Sequence, residues 1–176
     1  MMLVLMGPPG AGKGTIAQML SKKGWTHFSM GQALREHVKK KGKYAKQIDA
    51  LLSKGHLASN VVALHVLREH LASLKSKKII LDGFPRNLVQ GKGVSKLFAQ
   101  KKWSVDAFLY LDVPSSLIVK RLSHRAQCEK CGHVYGAHAK PKKKGRCDRD
   151  GGKLISRNDD KPRVIRERFR VFERET

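Results

Sequence analysis

The chain has 176 residues and 40% of them are hydrophobic, which is enough for one buried core with small insertions but not for two independent cores. Lysine and arginine number 37 against 14 acidic residues, so the net charge is +23. This charge permits contact with nucleic acid but does not favour it, because lysine runs are typical of solvated surface. The apolar opening, Met1 to Met6, is too short for a signal peptide or a membrane span, and we expect a soluble, cytoplasmic protein without membrane contact.

The first predicted unit is a buried strand, a glycine-rich turn and a helix. Met2 to Met6 is an apolar run of strand length that leads directly into the turn. Gly24 favours the end of the helix, and Trp25 to Ser29 has the character of a second strand. The helix between them has a predicted apolar face made of Ile16, Ala17, Met19 and Leu20.

Helical segments and a third strand follow. The chain between Gly31 and Gly55 is predicted to form a small helical insertion. Asn60 can cap another helix, and strand character returns at Lys78 to Asp82. The leucines at helical spacing in this last helix are Leu64, Leu67, Leu71 and Leu74.

The alternation of strands and helices then continues. A helix is predicted from Leu88 to Lys101, a strand over Ala107 to Asp112, a helix near Ser115 and a final helix near Pro162. This order predicts an α/β fold with a parallel sheet and helices on both faces. Ligands of such sheets bind at the carboxyl ends of the strands. The final helix is expected to bury Val164, Ile165, Phe169 and Phe172.

The turn from Gly7 to Thr15 has the spacing G-x-x-x-x-G-K of a phosphate-binding loop, between a strand and a helix. Glycines let backbone N–H groups curl around phosphate oxygens, and the helix N-terminus adds a favourable dipole. Lys13 can neutralise the outer phosphates of a nucleotide. The residues expected to hold these phosphates are Gly10, Ala11, Gly12, Lys13, Gly14 and Thr15.

Gly14 separates Lys13 from Thr15, and Gly-Lys-Gly-Thr resembles the loop of nucleoside monophosphate kinases. The segment Asp82 to Arg86, with Gln90 beyond it, is similar to the Asp-Gly-Phe-Pro-Arg segment of adenylate kinases. The resemblance implies a P-loop NTPase-type fold and reversible phosphoryl transfer, ATP + AMP = 2 ADP, with Mg²⁺. It implies that Asp82 places Mg²⁺ through water, that Arg86 holds the AMP phosphate and that Gln90 reads the adenine edge.

The same resemblance implies an AMP site around a helical insertion. The match is partial, because Met30 and Gln32 replace the threonine and aspartate that are usual in the family. The implied AMP-binding residues are Met30, Arg35, His56, Leu57, Ala58, Gly83, Phe84, Pro85, Arg86, Gln90, Arg157 and Arg168.

Arginines complete the predicted site. Arg121 and Arg125 are expected to share one face of a helix, from which both reach ATP phosphates. Phosphoryl transfer needs little covalent help from the protein, so positive side chains and Mg²⁺ are the expected catalysts. The resemblance adds Val134 and Tyr135 as ATP contacts. The implied catalytic residues are Lys13, Arg86, Arg125, Arg157 and Arg168.

Two short pairs predict a structural zinc site. Cys128 and Cys131 form one pair, and Cys147 and Asp150 form a second with the same spacing, as in tetrahedral Zn²⁺ sites. This part of the chain is poor in apolar residues, so metal binding would supply folding energy that burial cannot. The resemblance places these ligands in a lid over the nucleotides. Possible substitutes for the fourth ligand are Asp148, His133 and His138.

The expected organisation is a core of residues 1–29, 59–125 and 160–176, an AMP-binding insertion at 30–58 and a zinc lid at 126–159. Family members usually continue with a further strand and helix, so the sequence leaves open a natural short form and a truncation. ATP, AMP and ADP are the expected ligands of a monomer without an obligate protein partner. Two alternatives stay open: a CMP or UMP kinase, and a catalytically impaired basic module that contains zinc and binds nucleotides or RNA.

Overall fold

The computed structural model describes residues 1–72, 76, 78–136 and 139–176. The strands of its main sheet are β1 Met2–Met6, β2 Thr26–Ser29, β3 Ile79–Asp82 and β4 Ala107–Tyr110. In the part of the chain that the structure describes, these strands pair in parallel in the order β2-β3-β1-β4. The predicted parallel α/β sheet is therefore confirmed.

Helices cover both faces of this sheet. They are α1 Lys13–Ser21, α2 Met30–Lys39, α3 Ala45–Ser53, α4 Asn60–Ala72, α5 Leu88–Gln100, α6 Ser115–Ser123 and α7 Pro162–Glu175. Successive side chains of a strand point to opposite faces. Val4 accordingly joins the larger core with α2, α4 and α5, while its neighbour Leu5 packs with Ala17 of α1 on the other side.

Two local expectations for the helices need correction. Met19 is 63% exposed, so the apolar face of α1 is narrower than predicted. Asn60 lies inside the first turn of α4 rather than capping it, and the Ser59 hydroxyl accepts a hydrogen bond from the Val62 N–H instead, at 3.4 Å. Leu74, predicted to continue the apolar face of α4, lies outside the described residues.

Strand β4 is shorter than predicted and ends at Tyr110. It lies at the edge of the sheet and pairs with β1 within the described ranges. Phe108 and Tyr110, which share the face of the larger core, are 64% and 56% exposed. The outer edge of the sheet is thus apolar and open to solvent.

A second, smaller sheet lies in the cysteine-containing segment. Its strands are β5 Ala126–Cys128, β6 Val134–Tyr135 and β7 Leu154–Ile155, and they pair antiparallel in the order β6-β5-β7. Its buried cluster consists of Cys128, Tyr135 and Cys147, so two potential metal ligands form part of the packing itself. No helix within the described ranges is both long and apolar enough to cross a membrane.

Candidate active site and metal centre

The glycine-rich turn lies at the carboxyl end of β1 and leads into α1. Gly10 and Gly12 have φ of 84° and 103°, in the left-handed region that favours glycine. A Cβ at Gly7 would lie 2.5 Å from the carbonyl oxygen of Leu111, so only glycine fits where the loop passes the end of β4. The Lys13 ammonium donates hydrogen bonds to the carbonyl oxygens of Gly7 and Pro8, at 2.6 and 2.8 Å.

Lys13 is 8% exposed, which is unusual for a lysine side chain. The pKa of Lys13 is lowered from 10.5 to about 7, chiefly by burial and to a smaller extent by the nearby guanidinium groups of Arg86, Arg168 and Arg125. The carboxylate of Asp82 acts in the opposite direction. Arginines from three parts of the chain therefore converge on the glycine-rich turn.

A cleft opens beside the glycine-rich turn, between α2, α3, α4 and the segment after β3. It encloses about 640 Å³ of empty space, including its open mouth. The residues that line it are Met30, Gly31, Leu34, Arg35, Leu52, Gly55, His56, Leu57, Ala58, Ala63, Gly83, Phe84, Arg86, Gln90, Asp159, Arg168 and Val171.

Most of the residues predicted to bind AMP therefore line one cavity. Pro85 and Arg157 belong to the predicted set but do not line it. The peptide bond between Phe84 and Pro85 is cis. The wall also contains residues that sequence reasoning missed, among them Leu34, Ala63 and Val171, which are buried apolar positions of helices.

Arg86 is held in place by the turn that carries it. Its Nε donates to the carbonyl oxygen of Gly83 at 3.0 Å, and its backbone N–H donates to Oε1 of Gln90 at 2.8 Å. Burial lowers the pKa of Arg86 to about 10, with Arg168 as a further cause. A guanidinium fixed in this way, desolvated and close to other cations, is a strong site for an anion.

Two buried carboxylates, Asp159 and Asp160, organise the arginines and were missed from the sequence. Asp160 accepts from Nε of Arg125 at 2.7 Å and from Nη1 of Arg168 at 3.1 Å. Asp159 lies 3.2 Å from Nη1 of Arg168 and 3.7 Å from Nη1 of Arg35. Buried charges need partners, so an adjacent acidic pair in an arginine-rich stretch was the signal available.

The expected shared helical face of Arg121 and Arg125 is wrong. Helix α6 ends at Ser123, so Arg125 lies in the segment beyond it. Its guanidinium reaches Asp160, while Nη1 of Arg121 donates to the carbonyl oxygen of Ala11 at 3.4 Å. Arg121 therefore lies next to the glycine-rich turn, and Arg125 lies among the arginines near that turn. Different elements position the two side chains.

Arg157 is anchored from the smaller sheet. Its Nε donates to Oε1 of Gln127, and burial together with Arg125 and Arg35 holds its pKa well below its usual value. Within the described residues around the turn and the cavity, cations outnumber carboxylates. The cations are Lys13, Arg35, Arg86, Arg121, Arg125, Arg157 and Arg168.

Asp82, expected to place Mg²⁺ through water, lies at the carboxyl end of β3 and is mostly buried. Its Oδ2 is 3.2 Å from Nε2 of His27 on the neighbouring strand. The carboxylate also lies close enough to Lys13 to raise the pKa of that group. An oxygen ligand for Mg²⁺ is thus available beside the phosphate-binding turn.

The four predicted metal ligands come together. The ligand atoms of Cys128, Cys131, Cys147 and Asp150 all lie within 4.8 Å of one another. The sulfurs of Cys131 and Cys147 are 3.6 Å apart, and Cys128 Sγ is 3.3 Å from Asp150 Oδ1. A tetrahedron with Zn–S bonds of about 2.3 Å has edges of about 3.8 Å, so these separations fit Zn²⁺. All three thiols are free of disulfides.

The neighbouring candidates have other contacts. Oδ1 of Asp148 accepts from the backbone N–H of Lys142 at 3.0 Å, and His133 packs edge-on against Tyr135. The Tyr135 hydroxyl contacts Cys147 Sγ at 3.5 Å and accepts from the Asp148 N–H at 2.7 Å. The Tyr135 side chain is therefore part of the candidate metal site. Its expected contact with ATP, like that of Val134, stays a prediction, and His138 lies outside the described residues.

A parallel sheet with a glycine-rich phosphate loop after its first strand defines the class of P-loop nucleotide-binding proteins. The chain also has a cavity, and Arg86 and Arg168 in its wall lie close to the glycine-rich loop. A phosphate-binding loop beside such a cavity is the arrangement of an enzyme that acts on two phosphorylated ligands.

Comparison with known proteins identifies the family. A family model described as adenylate kinase matches residues 5–176. Proteins named adenylate kinase from Archaeoglobus fulgidus and Thermodesulfovibrio yellowstonii are 39% and 40% identical to the whole of this chain, which covers 82% and 83% of their lengths. The adenylate kinase of Petrotoga mobilis is 39% identical, with 82% of its length covered. The chain belongs to the adenylate kinase family.

Proposed function

We propose that this chain catalyses the reversible, Mg²⁺-dependent transfer of a phosphoryl group from ATP to AMP, giving two ADP. The observation that carries the proposal is the convergence of cations between the glycine-rich turn and the cavity beside it. Lys13 lies in the glycine-rich turn and Arg86 and Arg168 line the cavity, yet both arginines lower the pKa of Lys13. Phosphates that meet between the turn and the cavity would be neutralised from both sides.

In this proposal the turn holds the ATP phosphates. Backbone N–H groups from Gly10 to Thr15 bind the phosphate oxygens, and Lys13 neutralises the charge between donor and acceptor. Arg121, Arg125 and Arg157 approach from the side of the lid. Asp82 would hold Mg²⁺ through water, and the ion would supply positive charge that neutralises the ATP phosphates.

The cavity holds AMP in this proposal. Arg35, Arg86 and Arg168 bind its phosphate, and their geometry is fixed beforehand by Asp159 and by the carbonyl of Gly83. Preorganised charges are the main source of catalysis in phosphoryl transfer, because the transition state needs stabilisation rather than covalent chemistry. The base lies between Met30 and the segment His56 to Ala58, with Gln90 at its polar edge.

The division into core, insertion and lid is part of the same proposal. Lys39 of α2 donates to the carbonyl oxygen of Glu129 in the lid at 3.3 Å, which supports a lid that meets the insertion above the nucleotides. Closure of this kind excludes water that would hydrolyse ATP. A Zn²⁺ ion held by three thiolates and Asp150 would stiffen the lid.

We propose that the protein is a monomer located in the cytoplasm. Free thiols gathered into a metal site are typical of proteins from reducing compartments, which supports that location. Its proposed ligands are ATP, AMP and ADP.

The direct test is ADP formation with ATP and Mg²⁺, comparing AMP, CMP and UMP as acceptors. We expect AMP to give the highest kcat/KM, because Gln90 offers a donor and an acceptor to a purine edge. A reaction without acceptor measures hydrolysis as the control. A preference for CMP or UMP would show that the acceptor is a pyrimidine nucleotide rather than AMP. Tight salt-dependent RNA binding without turnover would overturn the kinase assignment.

Binding of ATP is expected to take up a proton at alkaline pH. The pKa of Lys13 is about 7 without ligand, so the group is mostly neutral at pH 8, and nearby phosphate charge raises the pKa. Near pH 8 the uptake on ATP binding should approach roughly one proton. Below about pH 6 the Lys13 amine is protonated with and without ATP, so Lys13 should contribute no uptake.

Isothermal titration calorimetry in buffers with different ionisation enthalpies measures this uptake. Lys13→Met is the matched variant, because it removes the titrating group and keeps the length of the side chain. Equal uptake by the parent and this variant would contradict the assignment to Lys13.

A further inference from the structure

The Gln90 amide, at the polar edge of the cavity, belongs to a closed hydrogen-bond network. Its Oε1 accepts from the backbone N–H of Arg86 at 2.8 Å, and its Nε2 donates to Oδ1 of Asn60 at 3.1 Å. The same Asn60 oxygen accepts from Nδ2 of Asn87 at 3.1 Å. Oδ1 of Asn87 in turn accepts from the backbone N–H of Gln90 at 2.9 Å. Gln90 is 2% exposed, so water offers these groups little alternative.

Both ends of this network are backbone N–H groups, which can only donate. The N–H of Gln90 requires the oxygen of Asn87, which leaves the Asn87 NH₂ group to face Asn60. Asn60 must then offer its oxygen, and that oxygen requires the NH₂ group of Gln90. The Arg86 N–H, at the other end, independently requires the oxygen of Gln90, so one assignment of all three amides satisfies every contact.

Reversal of the Gln90 amide would break the network at two points. The NH₂ group would face the N–H of Arg86, donor against donor, and the oxygen would face Oδ1 of Asn60, acceptor against acceptor. Buried polar groups without a partner are costly, so the observed orientation is strongly favoured. Asn60 contributes one of the two contacts that enforce it.

This orientation leaves Gln90, which lines the cavity, with one remaining Nε2–H donor and one remaining Oε1 lone pair, in fixed order. A 6-aminopurine has a ring nitrogen acceptor beside an exocyclic amino donor, which matches that order. A 6-oxopurine has the reverse pattern, a ring N–H donor beside an oxygen acceptor. The base cannot turn over to compensate, because its phosphate is anchored at Arg86 and Arg168 in the proposed complex.

We propose that Asn60 is a positioning residue for substrate specificity, which fixes the Gln90 amide so that the cavity accepts 6-aminopurine monophosphates and rejects 6-oxopurine monophosphates. This inference rests on the proposed function, since it assumes that the nucleotide acceptor occupies the cavity. Asn60 is available for this role because Ser59 supplies the hydroxyl contact at the start of α4. The residue thus links the first turn of α4 to the chain segment that reads the base.

The test compares kcat/KM for AMP and for IMP in the parent chain, Asn60→Leu and Asn60→Asp. Leucine has a similar size and removes the acceptor, while aspartate keeps an acceptor oxygen toward both amides. We expect Asn60→Leu to reduce the AMP preference about tenfold, chiefly through a higher KM for AMP with kcat little changed. Asn60→Asp should keep the preference within about twofold of the parent.

A purely structural role predicts a different pattern. General destabilisation would lower the rates with AMP and IMP alike and would appear as lower thermal stability in a melting experiment. An unchanged ratio in Asn60→Leu, or an equal loss of the ratio in Asn60→Asp, would overturn the inference.

Failure of the proposed function is distinguishable, because the parent chain would then form no ADP from ATP and AMP. Calorimetric affinities for AMP and IMP provide the specificity ratio without turnover. Loss of the binding preference in Asn60→Leu but not in Asn60→Asp is the result that supports the inference in this arm. Equal preferences in all three chains would contradict it.

Discussion

Replacement of Lys13 by methionine is expected to lower kcat for ADP formation by about a thousandfold. The Lys13 ammonium is the cation that the glycine-rich turn itself carries, and the surrounding arginines belong to other elements that cannot take its position. Its charge is most valuable in the transition state, because burial removes the water that would otherwise screen it. Affinity for AMP should change little, since Arg86 and Arg168 remain in the cavity. Initial rates at saturating ATP and AMP measure the effect.

Lys23→Met is the matched control, because Lys23 is an exposed lysine just beyond the end of α1. This variant should retain the activity of the parent. Thermal unfolding of both variants separates catalytic loss from loss of fold. Activity of Lys13→Met within about tenfold of the parent would contradict a role of this ammonium in phosphoryl transfer.

Removal of metal from the cysteine cluster is expected to unfold the smaller sheet and to lower ADP formation by at least about tenfold. The sheet has a minimal apolar core, and two of the buried residues in that core are the proposed ligands Cys128 and Cys147. Without a metal ion, few other interactions stabilise the cluster of three thiols and one carboxylate. Hydrogen exchange measures the unfolding at the amides of Cys128 and Cys147, which donate to His133 and Gly152 at 2.8 Å.

Two aspartates provide a matched pair of variants for the metal site. Asp150→Asn should lower the zinc content and expose the lid amides, because Asp150 Oδ1 lies 3.3 Å from Cys128 Sγ. Asp148→Asn should keep one Zn²⁺ per chain, because its carboxylate caps the backbone at Lys142. Zinc content by atomic absorption decides between them. Full activity after verified metal removal, or equal loss of zinc in both variants, would contradict the assigned ligand set.

Several elements could be predicted within one or two residues. The apolar run of β1 ends at the first glycine of the turn, and α5 begins after Asn87, whose side chain accepts from the N–H of Gln90. Local signals of this kind act over a few residues, so they can be read along the chain. The fold class and the family resemblance followed from them and are confirmed.

The arrangement of the charged residues was less accessible. Arg125 was assigned to a helical face, but α6 ends two residues earlier and Arg125 binds Asp160 instead. Asp159 and Asp160 were not predicted as partners of arginines. Their partners Arg35 and Arg168 come from α2 and α7, which are distant along the chain.

By itself, the sequence determined the phosphate-binding turn, the metal-ligand spacing and the alternation of strands and helices, because each depends on residues that are close together in the chain. Only the tertiary structure decided which carboxylate holds which arginine and how the amides of Gln90 and Asn60 are oriented. Those choices arise where α2, α4, α5 and α7 meet, and buried polar groups must find partners across elements there.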